Sequence, residues 1–155
     1  MNPSMNTLLR YIQTGLCLLA ITLTGCATQA VYQPKILAST EEALKTLQRT
    51  LLEQPPQSCP ESVEVTTNYF QVKRTVITGH SRIKHREGVA GTETTTIFYR
   101  SIGSANLFSK SNWFSIIVSD KVGRQRYRYA TYIEDDAHDC INALTTLINA
   151  AKSNP

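Results

Sequence analysis

Apolar and β-branched residues alternate with polar ones over most of the stretch between residues 62 and 133, a period of two that predicts an antiparallel sheet with one buried face. Strands are expected over 63–67, 69–78, 82–85, 94–101, 113–119 and 125–133. Glu87-Gly88-Val89-Ala90-Gly91-Thr92 carries two glycines and no apolar period, so it reads as a mobile loop. Residues 104–112 are small and polar around Leu107 and Phe108, and read as a connection whose two apolar side chains tuck against the core. Asp120-Lys121-Val122-Gly123 has the composition of a hairpin turn.

On either side of this pattern the period lengthens to that of a helix. Ala43, Leu44, Leu47, Leu51 and Leu52 form an apolar stripe preceded by Ser39-Thr40-Glu41-Glu42, a capping box in which Ser39 accepts from the Glu42 amide and Glu42 from the Ser39 amide. Pro55-Pro56 stops that helix. Ala137, Cys140, Ile141, Leu144, Leu147, Ile148 and Ala151 make a second stripe, and Glu134, Asp135 and Asp136 open it where the helix dipole favours negative charge. The expected fold class is α+β: an N-terminal helix, an antiparallel sheet or split barrel of about five to seven strands, and a C-terminal helix. Residues 27–38 show no period and contain Pro34, and read as a tether of at most ~40 Å.

At the N-terminus the chain is almost wholly apolar from Tyr11 to Gly25, behind a polar leader whose one charge is Arg10. At about 15 residues this core is too short to span a ~30 Å bilayer as a helix, which is the layout of an export signal. Leu23-Thr24-Gly25-Cys26 resembles the lipobox of bacterial lipoproteins. The resemblance implies cleavage before Cys26, acylation of that cysteine, palmitate among its chains, and a protein held to the cell envelope by lipid. Two or more acyl chains hold stably where one holds only reversibly. Ala27, in place of the aspartate that retains such proteins at the inner membrane, favours the outer membrane and a domain facing the periplasm. Residues 1–25 are then the signal peptide, 26–38 the lipidated N-terminus and tether, and 39–155 a single domain.

Loss of the leader removes Arg10 and no acid, so the formal charge falls from +4 to +3. That is too weak a charge to argue for nucleic acid as a partner. In an oxidising compartment Cys59 and Cys140, the two cysteines beyond Cys26, are expected to form a disulfide. It would close a loop of about 80 residues and contribute ~4 kcal/mol on the chain-entropy estimate.

The run from Tyr99-Arg100-Ser101-Ile102 through Leu107-Phe108, Trp113-Phe114-Ser115-Ile116-Ile117-Val118-Ser119-Asp120 and the Gly123 turn to the acid-capped helix resembles bacterial domains of the pleckstrin-homology and GRAM-like superfold. The resemblance implies a PH-like split barrel used as a scaffold for protein interaction. The helix before the sheet departs from that family's minimal core.

Candidate chemistry is sparse. Arg82, Lys84 and Arg86, and again Arg124, Arg126 and Arg128, alternate along two predicted strands, so each trio shares a face. They form either a basic patch for an anionic envelope ligand, such as lipopolysaccharide, a phospholipid headgroup or a peptidoglycan fragment, or the solvated face of a half-buried sheet. His80, His85 and His138 have no spacing suited to a metal, and Asp135, Asp136 and Asp139 sit where a helix start wants acids rather than in a calcium loop. No G-x-S-x-G occurs. Trp113, Tyr127, Tyr129 and Tyr132 read as core and cross-strand aromatics. No catalytic residue, metal or cofactor is assigned. The expected function is an envelope lipoprotein that presents a non-enzymatic domain to an envelope protein partner, or alternatively binds an anionic ligand through its basic face.

Overall fold

The computed structural model describes residues 27–78 and 89–153. Cys26, the predicted strand 82–85 with Arg82, Lys84 and Arg86, and the histidines at 80 and 85 lie outside the described residues.

The fold is α+β, with two antiparallel sheets that do not close on one another and two helices packed together. In chain order the elements are β1 (Thr28–Gln29), α1 (Thr40–Leu52), β2 (Ser62–Val65), β3 (Tyr69–Thr78), β4 (Val89–Phe98), a 3-10 turn (Tyr99–Ser101), β5 (Ile102–Lys110), β6 (Trp113–Asp120), β7 (Gln125–Thr131) and α2 (Glu134–Ser153). One sheet runs β1-β5-β6-β7 and the other β2-β3-β4.

Helix α1 starts where the cap predicts. The Ser39 hydroxyl accepts from the Glu42 amide at 3.1 Å, but the Glu42 carboxylate accepts from the Ala38 amide at 3.2 Å, one residue earlier than the capping box expects. Ala43, Leu47, Thr50 and Leu51 face the core, whereas Leu52, expected in the stripe, is 41% exposed. Helix α2 buries half its length against α1 and the β5-β6-β7 face. Arg49 ties the helices together at the surface, meeting Asp139 at 2.6 Å and Asp136 at 3.3 Å. Between helices and sheets lies one core around Phe70, Tyr99, Tyr129, Leu47, Ile116 and Leu144.

Three expectations are corrected by these elements. Residues 104–112 are not a connection, because Ile102–Lys110 is a full strand between β1 and β6. The expected loop at 87–92 gives way at Val89, where β4 begins to pair with Thr78. The third concerns residues 27–38, which are not a tether. Thr28 and Gln29 pair with Ser109 and Phe108 on the edge of β5, and the Ala30 amide donates to the Leu107 carbonyl at 2.9 Å. Further along, Asn142 Oδ1 on α2 accepts from the Lys35 amide at 2.7 Å and from the Tyr32 hydroxyl at 3.1 Å, and Thr146 Oγ1 accepts from the Leu37 amide at 3.0 Å. Tyr32 also stacks on His138 with ring centroids 4.0 Å apart. The segment lacks its own apolar period because polar side chains of α2 hold its backbone.

The expected Cys59–Cys140 disulfide is also corrected, since both thiols are free. Cys140 is fully buried in the helix interface beside Thr50, and burial pushes its thiol up to about 12. Cys59 is exposed at the exit of α1, its thiol donating to the Leu52 carbonyl at 3.3 Å. One thiol is buried in the helix interface and the other exposed beyond the end of α1, and they are not bonded to each other.

Candidate functional site: an arginine-lined cleft

β4 and β7 end their sheets, and their unpaired edges face one another where the two sheets part. The opening holds a cavity of about 240 Å³ lined by Val72, Arg74, Glu93, Thr95, Arg126 and Arg128, among others. A second cavity of about 250 Å³ adjoins it, bounded by Arg74, Arg128, Trp113, Tyr132, Pro55 and Ser58. Arg74 and Arg128 border both, so the two hollows form one cleft divided by two guanidinium groups.

Each arginine is placed by its strand and held by an aromatic. Arg74 follows Phe70 and Val72 on the inward phase of β3, at the point where the core opens into the cleft. Its Nη2 donates to the Tyr127 hydroxyl at 2.9 Å, and its Cζ lies 5.3 Å from the Tyr127 ring centroid. Gln54 donates to the same hydroxyl at 3.0 Å and accepts from the Ala130 amide at 3.4 Å, closing one end of the β7 edge. Burial is the main cause that raises the Tyr127 phenol above its ordinary value, against the lowering effect of Arg74, so it stays neutral beneath the guanidinium. Arg74 Nε is buried and has no acceptor among the described residues. Glu93 stands opposite Arg74 in the β3–β4 register, yet the two form no ion pair.

Arg128 stands on the outer face of β7, where its Nε donates to Ser115 Oγ at 2.9 Å and its Cζ sits 4.4 Å over the Trp113 ring. That hydrogen bond and stack fix the plane of the guanidinium and leave its two Nη groups without an acceptor among the described residues. Arg126, one pleat along, is exposed at the mouth. The cleft therefore gathers three cations against one carboxylate, with the fork-shaped donors of Arg126 and Arg128 exposed and Arg74 half-buried behind them. Such donors match the oxygens of a phosphate or carboxylate.

Of the arginines singled out in the sequence, Arg126 and Arg128 line the cleft. Arg124 does not: it precedes β7 in the hairpin turn, where its amide donates to Asp120 Oδ1 at 2.9 Å. The irregularity between Val118 and Ser119, opposite Gln125, breaks the expected alternation of the trio. Arg74 was missed. Its signal was a charged residue in the same phase as Phe70 and Val72, where an apolar one belongs. Tyr127 and Tyr129 are core aromatics, whereas Trp113 and Tyr132 border the cleft. Asp136 and Asp139 serve the inter-helix ion pairs with Arg49.

Comparisons with protein-family models, with curated proteins and with solved structures find no match to this chain.

Proposed function

We propose that this protein is a bacterial envelope lipoprotein, anchored through Cys26, whose non-enzymatic domain binds an anionic group of an envelope component in the cleft between β4 and β7. The observation that carries the reading is the pair Arg74 and Arg128. Both are oriented by aromatic rings, both border the cleft, and both retain N–H donors that no described residue accepts. The Arg128 guanidinium is exposed to the cleft, where a phosphate or carboxylate oxygen can meet its free N–H donors, with the charge of Arg74 behind it. The ligand class is a phosphate or carboxylate on a larger envelope molecule. The scaffold reading, with an envelope protein as partner, is the case in which that anion is a side chain of another protein.

Trp113 is the only tryptophan of the chain and lies under Arg128, so its emission reports on the cleft. Titration with inorganic phosphate is expected to change that emission saturably, and more weakly as salt is raised. Arg126→Glu, an exposed change that leaves the core intact, is expected to weaken the response at least several-fold, and Arg128→Gln to abolish it. No response to phosphate or acetate in the folded wild-type domain, or a response equal in all three proteins, would overturn the reading.

A further inference from the structure

The residues that precede the domain are bound to one end of it, and that end has a composition of its own. Thr28 pairs with Ser109, Ser109 with Phe114, and Phe114 with Thr131, so a single row crosses all four strands of the larger sheet. One residue further out come Lys110 and Trp113, paired across the β5–β6 hairpin, and then Tyr132 and Ile133 beyond β7. Tyr132 and Ile133 are each 58% exposed. Trp113 is half-buried under Arg128. This rim therefore combines a tryptophan, an exposed tyrosine and an exposed isoleucine with the guanidinium groups of the cleft directly behind it. Trp and Tyr carry an apolar body and a polar tip, the combination that settles at a membrane–water boundary.

We infer that this rim is the seat of the domain on the bilayer, with Trp113, Tyr132 and Ile133 at the headgroup level and Arg128, backed by Arg74, on lipid phosphates. The inference rests on the anchored reading above and names the anionic component as the headgroups of the membrane that holds the anchor. Chain length argues for it. Because Thr28 is fixed to β5, the two residues of backbone from Cys26 to Thr28 span at most ~7 Å. Two strand spacings put Trp113 only ~10 Å from Thr28. An acyl chain on Cys26 thus brings the lipid surface to this end and to no other. Glu134 and Asp135 stand at the same end but open α2, on the face of the sheet that Tyr127 and Tyr129 bury; Arg128 and Trp113 lie on the opposite, outer face, which is the half that meets an anionic surface. The rival contact is the tip of the β6–β7 hairpin, where Val122 is 75% exposed beside Lys121. It lies a full strand length away along β6, ~25 Å from Trp113.

The test uses full-length protein purified from membranes and reconstituted in vesicles of phosphatidylethanolamine and phosphatidylglycerol, part of the lipid being brominated in the upper acyl chain. Trp113 emission is expected to be quenched by the brominated lipid and protected from acrylamide. A Trp113→Phe, Val122→Trp protein, with its reporter at the far tip, is expected to show the reverse. Flotation of the same samples, beside Cys26→Ala, reports the anchor separately. If the protein floats but Trp113 is open to acrylamide and untouched by bromine, or if the Val122 reporter is the one quenched, the seat is wrong and the anchor stands. If the wild type does not float, the anchored reading falls and the seat with it.

Discussion

Removing one side chain on α2 should loosen the strap formed by residues 30–37. Asn142 is 7% exposed, and its Oδ1 accepts from the Lys35 amide and the Tyr32 hydroxyl. In Asn142→Ala both bonds are lost, each worth ~1 kcal/mol net, and the part-buried Lys35 amide keeps no protein acceptor, so docking of the strap should weaken by about 2 kcal/mol. The Leu37–Thr146 bond and the Tyr32–His138 stack remain, as does the pairing of β1 with β5, so the core should not unfold with it. Native-state hydrogen exchange reads the effect directly. The Lys35 and Leu37 amides should exchange about 30-fold faster in Asn142→Ala, the equivalent of 2 kcal/mol, while amides of β6 and α2 keep their protection. Asn142→Asp retains the Oδ1 acceptor and should restore the slow exchange. If the Lys35 amide already exchanges freely in the wild type, or is unaffected by Asn142→Ala, Asn142 does not hold residues 30–37 on α2 and the reasoning fails.

Gly103 lies at the β5–β6 irregularity, where a Cβ would come within 2.5 Å of the Asp120 carbonyl oxygen. Gly103→Ala should therefore cost roughly 1–3 kcal/mol in denaturant unfolding, far more than an exposed strand position normally would. Gln54→Leu should cost about 2 kcal/mol by the same assay, because the Ala130 amide and the Leu51 carbonyl lose their partner in a buried site. A thiol reagent applied to the folded domain at neutral pH should modify Cys59 and spare Cys140, which reacts only on unfolding. Burial raises the folded-state values of Cys140, Tyr99 and Tyr129, so their contribution to stability is complete below the ordinary thiol and phenol range. It should fall progressively as pH rises above about 9, seen as a drop in Tm at alkaline pH.

The elements that the sequence made legible are those whose inward residues keep one period. The stripe of α2, the Ser39 cap and the strands from Tyr69 and from Trp113 all do so, and the Asp120–Gly123 turn shows its reason in the structure, with Gly123 at φ 83°. Strand β5 was hidden by its irregularity between Ile102 and Ser104. Ile102 and Leu107 both face inward although five residues separate them, which no strict alternation allows. The start of β4 was hidden by Gly91, which faces Val76 in the ladder and marks no break. Residues 27–38 were misread because what orders them is on α2, more than a hundred residues away. The disulfide was inferred from compartment and pairing of cysteines alone, and those say nothing of which thiol the fold buries and which it leaves at the surface.

For the site, Arg126 and Arg128 were visible as basic residues of one strand phase, but their partner was not. Alternation reveals which residues share a strand face; it does not reveal which strands of two separate sheets come to face each other. Arg74 enters the cleft only because the β4 edge of its sheet comes to face β7, which lets its guanidinium reach the Tyr127 hydroxyl. The role of Trp113 likewise depends on Arg128 lying across it from the neighbouring strand.

The measurement that tests the account most directly is the intact mass of the protein extracted from the envelope of cells that express it. The account predicts a chain that begins at Cys26, lacks residues 1–25 and carries the added mass of a diacylglycerol and an amide-linked acyl group, with Cys59 and Cys140 both reduced. A chain that retains its leader, or one that begins near residue 26 with an unmodified cysteine, would contradict it.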